Sequence, residues 1–301
     1  MSSHRLLPIA GFATATMFIV TGCTKDIAVK PLAYDTKPTI ECMLTTGEVP
    51  KLYIYRSVPY FDASVSNKSL FIANASVTIS SSLGTDVLHI DSVEDLFRCE
   101  YQYFFKGQIV TQPNITFSLE LIADGKTYTA QTTTDQQATT IASTSYTPVF
   151  SDIYGEHEGV IVDYGDVAGQ ENFYRYQMAR IIDSTTTYGE GGIYSICTHG
   201  SFFPVLETGR AIYKDANQDG LPQQIVIEPA YKHKAGDIGY IRMQSVDKNA
   251  AIFYDQLDRQ KLSQFNPFVE PVFLTPIQFP EAIGVFGSYA LSDPVQFTFP
   301  E

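Results

Sequence analysis

Apolar and polar residues alternate along most of the chain after its first forty positions. The alternation has a period of two over short segments such as 40–44, 52–56 and 115–121. Because successive side chains of a strand point to opposite faces of a sheet, this period predicts strands with one buried face. Asp124-Gly125 lies between two such segments and favours a tight hairpin turn. The pattern therefore predicts a mainly β protein.

The spacing of these segments predicts two domains. About seven short strands fall within roughly 105 residues, as in a two-sheet sandwich. The Thr- and Ser-rich stretch 132–147 has low hydrophobicity and marks a boundary, after which strand patterns resume. We expect an N-terminal immunoglobulin/fibronectin-like β-sandwich over 38–135 and a second β-rich domain over 146–301.

One segment of the second predicted domain has helical periodicity. Between Asp247 and Leu262, apolar residues recur three or four positions apart. Ser245 or Asp247 can cap the start of this helix, and Pro267 prevents it from running further. The second domain is therefore expected to contain one or two short helices.

The amino-terminal segment has the composition of a secretory signal peptide. His4 and Arg5 precede the run Leu6–Thr24, which has no charged residue. A transmembrane helix needs about 20 predominantly apolar residues, and Pro8 with several Thr residues makes this run a poor one. We expect a signal peptide.

The apolar run ends in Val20-Thr21-Gly22-Cys23, which resembles a bacterial lipobox. The lipobox cysteine is lipidated and becomes the new amino terminus, so we expect a signal peptide over 1–22, lipidation at Cys23 and a tether over 23–37. The alternative is an ordinary signal peptide that contains a cysteine. Lys25-Asp26 resembles a signal for the outer face of the outer membrane, with the periplasmic face as the alternative.

Charge and motifs exclude several classes of function. The 33 acidic residues outweigh 20 Lys and Arg, and a net charge of −13 repels phosphates, so we expect no nucleic-acid partner. The five histidines form no metal-binding pair, and there is no P-loop, nucleophile elbow or dinucleotide fingerprint. Cys197 lies two residues from His199, but no suitably spaced Asn or Asp joins them. We expect no enzymatic activity, no catalytic residue and no cofactor.

The segment 215–220 matches the first half of a calcium loop. Oxygens at its first, third and fifth positions, Asp215, Asn217 and Asp219, would point inward, and Gly220 would form the turn. The match fails at the twelfth position, where Val226 replaces the required glutamate. We therefore favour a hairpin turn at 219–220 and expect no metal, with these three side chains as the candidate ligands.

Cys42 and Cys99 both fall on the apolar phase of predicted strands. A disulfide between them would suit the two sheets of a sandwich, and an exported protein permits it. The alternative is two separate buried thiols.

The end of the chain resembles the closing signature of the domain-of-unknown-function family DUF4249. Residues 266–272, Asn-Pro-Phe-Val-Glu-Pro-Val, are followed by Ile-Gly-Val-Phe-Gly-Ser-Tyr at 283–289. The turn at 215–220, the strand 238–246 and the lipobox agree with the family. The signature positions are Asn266, Pro267, Phe268, Glu270, Pro271, Gly284, Phe286 and Gly287.

The resemblance implies a Bacteroidetes outer-membrane lipoprotein that is often encoded beside a TonB-dependent transporter and has no established reaction. On this basis we expect a lipid-anchored accessory protein at the cell surface. It would capture a ligand for the transporter or support it in nutrient uptake. The alternative function is a surface adhesion or structural module that binds other proteins.

Overall fold

The computed structural model describes most of the chain beyond the first 33 residues. The described ranges are 34–58, 66–95, 99–152, 155–183, 202–209, 211–216, 218–265 and 272–300. The predicted signal peptide, Cys23 and most of the tether lie outside them. Strands dominate the described residues, so the prediction of a mainly β fold is confirmed.

The first half of the fold contains eight described strands and one short helix. They are β1 (Pro38–Leu44), β2 (Lys51–Arg56), α1 (Asn67–Leu70), β3 (Ser76–Ser81), β4 (Gly84–Val87), β5 (His89–Asp95), β6 (Glu100–Lys106), β7 (Thr116–Ala123) and β8 (Lys126–Thr133). The predicted turn at Asp124-Gly125 joins β7 to β8, and both turn residues have positive φ, 49° and 76°.

The second half contains nine described strands and one long helix. They are β9 (Ile141–Asp152), β10 (Gly155–Tyr164), β11 (Phe173–Asp183), β12 (Phe202–Thr208), β13 (Tyr213–Lys214), β14 (Gln223–Ile227), β15 (Ile238–Val246), α2 (Lys248–Phe265), β16 (Ile283–Leu291) and β17 (Val295–Thr298). Helix α2 confirms the helical pattern predicted over 247–262.

The described strands form three sheets. The long sheet has the order β12-β11-β15-β16-β1-β2-β6-β5, with β13 beside β11 and β17 beside β15. A four-stranded sheet has the order β4-β3-β7-β8, and a three-stranded sheet the order β14-β10-β9. Each smaller sheet packs on one part of the long sheet, which gives two sandwich-like halves.

The long sheet runs through both halves, and this corrects the predicted division into two domains. Asp35–Glu301 form one compact unit, because β1 pairs with β16 in the middle of the long sheet. The predicted boundary stretch 132–147 contains the end of β8, a connection over 134–140 and the start of β9. Thr134 and Thr139 of the connection and Ile141 are buried, so the stretch packs against the fold and is not an exposed linker.

The junction between β1 and β16 depends on a glycine. The two strands are parallel and pair Ile40 with Gly284, which has φ +154°. A Cβ atom on Gly284 would lie 1.8 Å from the carbonyl oxygen of Ile40. Only a residue without a side chain allows this approach, so the junction requires glycine here.

The carboxylate of Asp247 connects helix α2 to two sheets near this junction through hydrogen bonds. Its Oδ1 accepts a hydrogen bond from the backbone N–H of Ala250 at 2.8 Å, which caps the helix as one of the two predicted alternatives. Its Oδ2 accepts from the hydroxyl of Thr132 on β8 at 3.0 Å and from the backbone N–H of Ser288 on β16. One carboxylate thus links the helix to two sheets.

Replacing Gly284 with alanine should destroy the fold. Because the added methyl group overlaps the backbone of Ile40, we expect Gly284→Ala to lower the free energy of unfolding by more than about 4 kcal/mol. Urea denaturation followed by circular dichroism measures this loss. The matched control is Gly165→Ala, since a Cβ there meets no atom within 4 Å and should change stability by less than about 0.5 kcal/mol. Equal stability of the two variants would contradict this account of the junction.

Candidate functional site

Three carboxylates meet where the chain crosses twice between the long sheet and the three-stranded sheet. Asp166 lies in the connection from β10 to β11, and Asp215 and Asp219 lie in the connection from β13 to β14. One oxygen atom of each carboxylate lies within 4.8 Å of those of the other two. We call these three residues the carboxylate cluster.

Hydrogen bonds from both connections fix two members of the carboxylate cluster. Asp166 accepts from the hydroxyl of Tyr174 at 2.6 Å through Oδ1 and from the backbone N–H of Gly220 at 2.7 Å through Oδ2. Asp219 accepts from the backbone N–H of Gly169 at 2.7 Å. Burial, and secondly the hydrogen bond to Asp166, raise the pKa of Tyr174, so its hydroxyl remains a donor.

Asp215 is the buried member of the carboxylate cluster. It is only 5% exposed. Within the described residues, neither a hydrogen-bond donor nor a basic side chain contacts its carboxylate. The adjacent Lys214 does not neutralise it, because its Nζ lies over the ring of Phe173, 6.0 Å from the centroid.

The structure brings together part of the predicted ligand set and adds a residue to it. Asp215 and Asp219 meet as predicted, whereas Asn217 lies outside the described residues. Asp166 was missed because it lies on a separate connection; its position just after the strand ending at Tyr164 was the available signal. Val226 is part of β14 and pairs with Ile161, so the twelve-residue calcium loop does not form.

The predicted hairpin at Asp219-Gly220 is wrong, although the turn is present. Leu221 N–H donates to the carbonyl of Gln218 at 3.0 Å, and Gly220 has φ +72°. The strands on either side, β13 and β14, belong to different sheets. The turn therefore serves a crossover between sheets.

A second feature is an exposed apolar surface on the edge of the long sheet. Large apolar side chains from β11, β12 and β15 share one side of the sheet, because Ala179 pairs with both Leu206 and Tyr240. They are 42–66% exposed. We call this surface the apolar face; its members are Ile181, Phe202, Leu206, Ile238 and Tyr240. A shallow groove of about 410 Å³ crosses it beside Pro294.

The other side of the same strands carries a buried ion pair. Arg180 and Glu207 are 4% and 7% exposed, and their side chains bond to each other. Arg180 also donates to the carbonyl of Tyr231, and Glu207 accepts from the backbone N–H of Ala230 at 2.6 Å. These bonds satisfy the buried charges and hold the strands beneath the apolar face in a fixed arrangement.

The predicted disulfide between Cys42 and Cys99 is wrong. Cys42 is a free, fully buried thiol, and Cys99 is disulfide-bonded. Cys99 is not part of a strand: it lies in the turn before β6, where its backbone N–H donates to the carbonyl of Asp95 at 2.9 Å and its φ is +59°. Cys42 is level with Phe105 of β6, because Leu52 pairs with both, and Glu100 at the start of β6 is five residues, roughly 17 Å, from Phe105, with Cys99 beyond it. Burial raises the pKa of Cys42, which keeps the thiol protonated and unreactive.

The described signature residues have structural roles. Phe286 is fully buried in the first core, and its backbone N–H and carbonyl both bond to the side chain of Gln278. A Cβ on Gly287 would lie 2.7 Å from Asp247 Oδ2 and 3.1 Å from Ala250 Cβ, so the glycine lets helix α2 pack closely. The other signature residues, Asn266, Pro267, Phe268, Glu270 and Pro271, lie outside the described residues, as do Cys197 and His199.

Comparison with known proteins identifies one family. The model of the DUF4249 family, a domain of unknown function, matches residues 26–292. No curated protein matches the chain significantly. In the described part of the chain, neither helix has the length and apolar character needed to cross a membrane.

Protonation of His233 should weaken the half of the fold that carries the apolar face. The imidazole of His233 stacks on Phe299 with ring centroids 3.9 Å apart, and burial lowers its pKa below the ordinary value. Because the unfolded histidine binds a proton more readily, its contribution to stability is complete above pH of about 6.5 and is lost as the pH falls below that value.

We expect the free energy of unfolding to decrease between pH 7.5 and about 5.5, and His233→Phe to reduce this decrease because it keeps the stacking but cannot titrate. Urea denaturation at each pH measures the effect. His89→Phe on β5, where the side chain is exposed, is the control and should keep the wild-type dependence. An unchanged slope in His233→Phe would refute the assignment.

Proposed function

The chain belongs to the DUF4249 family, and from this premise we propose that it is a lipid-anchored, non-enzymatic accessory protein of the outer membrane that supports a TonB-dependent transporter in nutrient uptake. The lipobox at Cys23 supplies the anchor, and Lys25-Asp26 directs the protein to the cell surface. The partner is a protein embedded in the same membrane. Supporting the transporter by direct contact is favoured over capturing a small ligand, because the groove on the apolar face is shallow.

The apolar face is the observation that carries the proposal. Soluble proteins rarely expose contiguous apolar surface of this kind unless it binds a partner. Its five members lie on three hydrogen-bonded strands, so their arrangement does not depend on a loop. The buried pair of Arg180 and Glu207 on the reverse side keeps this surface rigid, which lowers the entropy lost on binding.

The lipid anchor and the negative net charge of the chain both favour a position of the folded part beside a membrane protein. Residues 23–37 separate the lipidated cysteine from β1, and a segment of that length reaches at most about 50 Å when extended. The net charge of −13 makes close contact with an anionic lipid surface unfavourable. The apolar face is therefore within reach of a transporter and would meet it rather than the lipid.

Copurification tests the partner. A tagged chain isolated from native membranes should enrich a TonB-dependent transporter, and the double variant Ile181→Glu/Leu206→Glu should lose this enrichment at least tenfold because two charges would be buried in the contact. Ile122→Glu on β7, which is 43% exposed on another sheet, is the matched control and should retain it. Enrichment of an unrelated surface protein would favour the adhesion alternative, and an unchanged yield from the double variant would exclude the apolar face.

Metabolic labelling tests the anchor. Palmitate should label the wild-type chain, whereas Cys23→Ala should be unlabelled and should leave the envelope fraction, because Cys23 alone carries the acyl chains in this proposal. Cys42→Ala is the control; the buried thiol at that position takes no label, so its loss should change nothing. Label on Cys23→Ala, or its retention with membranes, would overturn lipid anchoring independently of the partner.

A further inference from the structure

The carboxylate cluster holds a buried negative charge without a compensating group. Asp215 is only 5% exposed, and among the described residues neither a hydrogen-bond donor nor a cation contacts its carboxylate. Two further carboxylate oxygens lie within 4.8 Å of it. An isolated buried carboxylate costs several kcal/mol, and like charges at this distance add to the cost. A cation in the space between the three groups would compensate the charge of Asp215 and its two neighbours.

The chemistry of the cluster selects a hard divalent cation. Its three members offer only carboxylate oxygens, which are ligands that Ca²⁺ and Mg²⁺ prefer over softer metals. Ca²⁺ accepts six to eight oxygen ligands in irregular geometry, whereas Mg²⁺ requires a near-ideal octahedron and releases its water reluctantly. Three carboxylates from two separate connections therefore suit Ca²⁺ better than Mg²⁺.

We propose that Asp166, Asp215 and Asp219 bind a calcium ion. The hydrogen bonds already described orient Asp166 and Asp219, and each retains lone pairs for a metal because a carboxylate has about four acceptor sites. Asp215 supplies an oxygen that accepts no other bond among the described residues. Ca²⁺ takes six to eight oxygen ligands, so water would supply those that the three carboxylates do not.

The ion joins two connections that are distant in sequence. The connection from β10 to β11 and the connection from β13 to β14 both cross between the long sheet and the three-stranded sheet. With Ca²⁺ bound, the carboxylates that repel one another become a cross-link that closes the second sandwich-like half. This inference is independent of the proposed transporter partner.

Terbium luminescence provides a direct test, because Tb³⁺ replaces Ca²⁺ and is sensitised by a nearby tyrosine. The chain has no tryptophan, and the hydroxyl of Tyr174 bonds to Asp166 at 2.6 Å. Tb³⁺ added to the EDTA-treated full chain should give saturable emission under tyrosine excitation, and Ca²⁺ should displace it. Mg²⁺ should displace it only at a much higher concentration. Equal displacement by Mg²⁺ would overturn the choice of calcium.

Asp215→Asn should abolish the sensitised emission, and Asp166→Asn should reduce it at least tenfold. The matched control is Asp163→Asn on β10, three residues before Asp166, whose exposed carboxylate bonds to Ser143 and Gln224 instead. This variant should bind Tb³⁺ as the wild type does. Undiminished emission from Asp215→Asn would overturn the site.

Thermal denaturation gives a second test, because the difference in Tm between the wild type and Asp215→Asn should depend on whether Ca²⁺ or EDTA is present. In Ca²⁺ at about one hundred times the dissociation constant, the Tm of the wild type should rise by about 5 °C, and that of Asp215→Asn should not change. In EDTA, Asp215→Asn should be at least as stable as the wild type, because it removes an uncompensated buried charge. A variant that is less stable in EDTA, or a wild type whose Tm ignores Ca²⁺, would refute the proposal.

Discussion

The pairing of the first strand with one of the last holds both halves of the fold together. β1 lies between β2 and β16 in the middle of the long sheet, and its parallel register with β16 requires the absence of a side chain at Gly284. On one side of this junction, Phe286 completes the first core; on the other, Val285 contacts helix α2. Without the junction, the long sheet would separate into two pieces, and the helix would lose its contact with Met43 of β1.

Local features of the fold were predictable from the sequence. The β7–β8 hairpin followed from Asp124-Gly125, because both residues tolerate the positive φ that the turn requires. Helix α2 followed from its apolar spacing and the cap at Asp247. The domain boundary and the disulfide failed because both depend on sheet order. Nothing in the periodicity of β1 indicates that its neighbour is β16, or that Cys42 is far from the turn that holds Cys99.

The same limit applies to the functional surfaces. Asp215 and Asp219 are close in sequence and could be recognised together, whereas Asp166 joins them only because two crossovers meet in space. The apolar face was hidden for another reason. Each phase of β11 mixes apolar with polar residues, with Arg180 on the buried side and Gln177 on the other, and Ile181 and Ile182 are adjacent. The alternation alone therefore does not reveal that Ile182 is covered and Ile181 exposed.

The position of β16 also determines when the native sheet can close during synthesis. The ribosome makes β1 early, but residues 45–282 must follow before its parallel neighbour exists. At about 5–20 residues per second, this delay lasts roughly ten to fifty seconds. During that time the nascent chain cannot complete its long sheet and remains open to chaperones. The last-made strands therefore set the earliest moment at which the native long sheet can form.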